Sequence, residues 1–86
     1  MPNCAKVLQK ARRSAANLRF GEALALAECL GFELARIRGS HRIYKRAGVR
    51  GLVNLQPDSR DGSKAEKRQV DQLLTLYDDL GISEER

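Results

Sequence analysis

The chain has 86 residues, 42% hydrophobic, 31% charged and 5% aromatic, with no Trp and a net charge of +5. That length supports one small domain with a thin core and excludes two. The balance of apolar and charged residues is that of a globular chain and excludes a disordered one.

The longest apolar stretch, Ala23 to Ala27, is far too short to span a bilayer. Lys6, Lys10, Arg12 and Arg13 interrupt the first eighteen residues, so no apolar core of a signal peptide is found there. The expected location is the cytoplasm. In that compartment Cys4 and Cys29, far apart and without CxxC spacing, are expected to stay unpaired as small apolar residues. With His41 they give at most three Cys/His metal ligands, so no zinc site, metal or other cofactor is expected.

From Asn3 to Ala16, apolar residues recur helically through Cys4, Leu8, Ala11 and Ala15, with Leu18 continuing the stripe. Lys6, Lys10 and Arg13 share another face. Asn17 to Phe20 reads as a connector. Glu22 to Leu30 predicts a second helix, closed by Gly31 as a left-handed C-cap. Phe32 to Arg38 is the first strand, with Phe32 and Leu34 on one face and Ala35 and Ile37 on the other. Gly39 and Ser40 form a tight turn. His41 to Arg46 follows, and alternation sends His41, Ile43 and Lys45 to the face opposite Arg42, Tyr44 and Arg46. Residues 47–51 form a loop. Leu52 to Gln56 is the third strand, ended by Pro57. Ser63 and Glu66 match a capping box, so the last helix is expected from Lys64 to Leu80, with Val70, Leu73, Leu74 and Tyr77 on its buried stripe. Gly81 stops it, and Ser83 to Arg86 are expected to fray.

The predicted order is α-α-β-β-β-α. The fold class is α+β, a three-stranded antiparallel meander with helices packed on one face and the other face open.

Residues 1–50 hold eleven Lys/Arg against three acids, a net +8, whereas residues 51–86 carry −3. A basic half of this size points to a polyanion such as a nucleic acid, because Lys and Arg release counterions on meeting phosphates. An acidic protein is the other candidate partner.

His41 is the single histidine. It stands in Gly39-Ser40-His41-Arg42-Ile43-Tyr44, with Arg36, Arg38, Arg42, Lys45 and Arg46 around it. An imidazole ordinarily exchanges protons near neutral pH. Metal-free cleavage of RNA needs a base for the ribose 2′-OH or an acid for the departing 5′-oxygen, and cations around the phosphorane. The spacing also fits an exposed turn histidine. No carboxylate close in sequence would orient it as in a triad. Ser40 fits turn chemistry better than nucleophilic attack. Arg38, Arg42 and Lys45 are candidate phosphate contacts or solvated strand charges. Tyr44 is a candidate for base stacking or for the sheet interior.

The pairing of Gly31-Phe32 with Gly39-Ser40-His41-x-Ile43-Tyr44, the short strand before Pro57 and the basic-started last helix resemble the HicA toxins. The subgroup with an extra N-terminal helix is the nearer one: residues 1–16 supply that helix and Asn17 to Ile82 the family-like core. Leu52-Val53-Asn54-Leu55-Gln56-Pro57-Asp58 echoes the subgroup's third strand. The resemblance implies a fold like a double-stranded-RNA-binding domain and ribosome-independent cleavage of mRNA. It also implies a HicB-type antitoxin partner, with operator DNA bound chiefly through the antitoxin. His41 matches the family's catalytic histidine, and Gly39 and Ser40 the turn that presents it. Relatives often carry a further histidine where Arg42 stands, and another near Arg46, so a two-histidine acid/base pair is not possible here. The subgroup's Lys-Pro appears as Lys64-Ala65, with Lys64 expected at a helix N-terminus, beside a bound phosphate. A non-catalytic RNA-binding module, or a degenerate toxin acting through its protein partner, is the alternative.

Overall fold

The computed structural model describes residues 4–79. Helix α1 spans Cys4–Ser14 and tightens into a 3-10 turn at Ala15–Asn17; α2 spans Phe20–Cys29. The strands are β1 (Glu33–Arg38), β2 (His41–Lys45) and β3 (Val53–Leu55), and α3 spans Lys67–Asp79. The sheet is antiparallel in the order β1-β2-β3. This is the α+β class and the element order expected from the sequence. The expected stop at Gly81 and the tail beyond it lie outside the described residues. Among the described residues no helix is long and apolar enough to cross a membrane.

The core fills one face of the sheet. Leu18, Leu26, Tyr44, Val53, Leu55, Val70 and Leu73 are its largest fully buried side chains. Tyr44, Val53 and Leu55 come from the same face of β2 and β3, as their register shows. Val7 and Ala11 bring α1 onto this core. Helix α2 ends in a Schellman motif: Phe32 N–H donates to Ala27 O (2.9 Å) and Gly31 N–H to Glu28 O (3.0 Å). Gly31 sits at φ +89°, as the sequence requires of a left-handed cap. Phe32, the next residue, is then buried against the core.

Four expectations are corrected here. The cysteines are joined: Cys4 of α1 is disulfide-bonded to Cys29 of α2, with Cα atoms 5.6 Å apart. The start of α1 packs beside the end of α2 and brings together residues that no local spacing relates. Second, α3 begins at Lys67, and Ser63 does not cap it. The Ser63 hydroxyl donates to Asp61 Oδ1, Phe20 N–H to Ser63 O, and Ala65 N–H to Leu18 O. Residues 64 and 65 bridge to Arg19 and Pro57 instead of coiling. Long-range backbone pairing outweighs the local capping signal. Third, the faces of β1 are redistributed by a bulge between Leu34 and Arg36. Leu34 opposes Tyr44 and Ile37 opposes Arg42, so both apolar residues share the core-side face. Last, α2 starts at Phe20, inside the expected connector, because the Glu22 carboxylate accepts from Arg19 N–H (2.9 Å) and caps the helix.

Candidate active site on the open sheet face

The two-residue Gly39-Ser40 loop joins β1 to β2, with Arg38 and His41 paired across it. Gly39 has φ +59° while Ser40, like every other non-glycine residue among those described, does not have positive φ, the pattern of a type II′ hairpin turn. That turn matches the strand twist and places His41, the first residue of β2, at the sheet end.

His41 lies on the face that the helices leave uncovered, and it is exposed. With Arg38, Ile43 and Asn54 it lines a shallow cleft of about 410 Å³. His41 Nδ1 lies 3.2 Å from Asn54 Oδ1, and Asn54 Nδ2 donates to Gln56 Oε1 at 2.9 Å. The Gln56 backbone N–H donates to Gln69 Oε1 of α3 at 2.8 Å. The imidazole is therefore linked through the sheet to a helix on its far side. Among the described residues no group of three or more His, Cys, Asp or Glu is assembled that could hold a metal ion.

The candidate cations divide. Arg38 lines the cleft. Alternation and register put Lys45, and Arg36 opposite Ile43, on the same open face, all exposed. Glu33 stands opposite Lys45 and offsets part of its charge. Arg42 points to the other face, opposite Ile37 and Leu55, with a buried Nε that has no hydrogen-bond partner. It is not brought together with His41. Lys64 precedes the last helix by three residues and donates to Asn17 Oδ1 (3.4 Å) at the foot of α1. It therefore does not stand at a helix N-terminus. Tyr44 is 2% exposed, which removes it as a stacking platform. Burial pushes its hydroxyl pKa upward, with the Glu28 charge adding to the effect.

A larger groove of about 920 Å³ runs between α1 and α2, lined among others by Lys6, Lys10, Arg13 and Asn17. It contains no imidazole, since His41 is the only one in the chain. Its Lys10 is already paired with Glu22 at 2.9 Å. That pairing and the Arg19 N–H hold the Glu22 pKa below the usual carboxylate value. The chain's one imidazole lies in the smaller cleft and not in this groove.

Sequence reasoning missed Asn54. The available signal was its place between the apolar residues Val53 and Leu55, which puts a polar side chain on the open face. Its meeting with His41 depends on the β2–β3 register, which the sequence does not state. No family model, no curated protein and no solved structure matches this chain.

Proposed function

We propose that this protein is a small endoribonuclease of the HicA type, a toxin that cleaves mRNA without a metal. A HicB-type antitoxin covering the cleft would hold it in check, and operator DNA would be reached through that antitoxin. One observation carries the reading: the only imidazole in the chain is exposed in a cleft on the open sheet face, next to Arg38 and with Arg36 and Lys45 on the same face. This is the neighbourhood that a ribose and its phosphodiester require.

In the proposed reaction His41 removes the 2′-OH proton as the 2′-oxygen attacks phosphorus. The bond to the 5′-oxygen breaks, and that oxygen takes a proton from water. The cations offset charge on the equatorial oxygens of the phosphorane. With no second histidine, the imidazolium returns its proton to solvent before the next turnover.

The test is purified protein on RNA in the presence of a chelator. Wild type is expected to cut, and His41→Ala to bind RNA equally and not cut. Equal behaviour of the two proteins would refute catalysis and leave an RNA-binding module. Induction in cells is expected to arrest growth for wild type and not for His41→Ala.

A further inference from the structure

We infer that Asn54 is a positioning residue that fixes His41 with its proton on Nδ1 and its lone pair on Nε2, facing the cleft. The inference rests on the nuclease reading for its catalytic consequence, and on geometry alone for the tautomer. An amide oxygen only accepts hydrogen bonds, so a ring nitrogen 3.2 Å from Asn54 Oδ1 is a donor. Asn54 Nδ2 donates to Gln56 Oε1, so the two side-chain amides are set as a pair, with the Asn54 oxygen toward the ring. Gln56 is itself tied by its backbone N–H to Gln69 of α3. Free neutral histidine prefers its proton on Nε2, so the chain Gln56–Asn54–His41 inverts the ordinary preference.

The inversion suits a general base. A base must present a lone pair to the proton it removes, and the partner of the other nitrogen decides which lone pair that is. A carboxylate at this position would orient the ring equally well. It would also place a negative charge in a cleft that has to admit a phosphodiester, beside Arg38. A neutral amide orients the ring and leaves the cationic field intact. The asparagine thus supplies the orienter of the base, a part that no acid near His41 in sequence provides.

The single histidine makes the test direct. Long-range proton–nitrogen NMR on the whole protein, at a pH where the ring is neutral, reads the tautomer without any assay of activity. Wild type is expected to carry the proton on Nδ1. Asn54→Leu, which removes the acceptor, is expected to move it to Nε2, and Asn54→Asp, which keeps an acceptor, to retain it on Nδ1. On RNA, Asn54→Leu is expected to lose about tenfold in kcat with little change in KM, the size of one hydrogen bond's net contribution. A wild-type ring protonated on Nε2, or an Asn54→Leu tautomer identical to wild type, overturns the inference. The expected tautomers together with a wild type that cuts no RNA would overturn the nuclease reading and uphold the hydrogen-bond assignment.

Discussion

Reducing the Cys4–Cys29 bond is the perturbation whose effect is best defined by the structure. The bridge closes a loop across a sequence separation of 25 residues. In the chain-entropy account a loop of that length restricts the unfolded ensemble by about 3.5 kcal/mol at 25 °C. A domain of this size has a total stability of roughly 4–13 kcal/mol. Loss of the bridge therefore removes a large share, and the midpoint of thermal unfolding is expected to fall by roughly 14–28 °C. The Lys10–Glu22 pair and the Arg12–Asp78 pair to α3 are partly or largely exposed, and such pairs contribute little. Val7 and Ala11 keep α1 on the core but bury small side chains. The assay is thermal unfolding followed by circular dichroism, with and without a phosphine reductant, after intact mass has established the oxidised state. Cys4→Ser with Cys29→Ser should match the reduced protein. Equal midpoints for oxidised and reduced protein, or free thiols in protein purified under oxidising conditions, would refute the reasoning.

Other expected outcomes follow from single residues. Gly31→Ala places a side chain at φ +89° with its Cβ 2.6 Å from Arg46 Nε, and is expected to cost about 1–2 kcal/mol in urea unfolding. Removing Arg38 or Arg36 should each lower the salt slope of RNA binding by about 0.7, the share of one phosphate contact on a single strand, whereas Arg42→Met should leave the slope unchanged because Arg42 faces the core side. Tyr44 has a raised pKa, so the unfolded chain loses this proton first. Stability is expected to fall as pH rises past the ordinary tyrosine value near 10, checked by urea midpoints across that range and by their flattening in Tyr44→Phe. Glu22 has a lowered pKa, so its contribution is present above the ordinary glutamate value of 4.5 and is lost as pH falls through the folded one; Glu22→Gln should flatten that acid limb.

Much of the fold was legible because local chemistry and the global structure agree. Gly31 caps α2, Gly39-Ser40 makes the hairpin turn, and Val70, Leu73 and Leu74 face the core. The failures come where distant backbone or side chains take over. Ser63 carries a capping signal, yet Phe20, Leu18 and Asp61 claim the groups around it, and the helix starts four residues later. One extra residue at Ala35 brings Ile37 round to the face of Leu34, leaving them 51% and 44% exposed on an edge strand whose residues are all exposed. Cys4 and Cys29 meet only because the start of α1 packs beside the end of α2. For the candidate site, His41 and Arg38 were readable from a turn and a charge cluster. Arg42 was separated by alternation alone, which the sequence already contained. Asn54 was not readable, because its approach to His41 is diagonal across two strands and depends on register.

The chemistry of the cut ends tests the central claim most directly. If His41 Nε2 activates the ribose 2′-hydroxyl, the upstream product carries a 2′,3′-cyclic phosphate and the downstream one a 5′-hydroxyl, and a single 2′-deoxy substitution at the cut position abolishes the reaction. Products ending in 3′-hydroxyl and 5′-phosphate, or undiminished cleavage of the 2′-deoxy substrate, would contradict it.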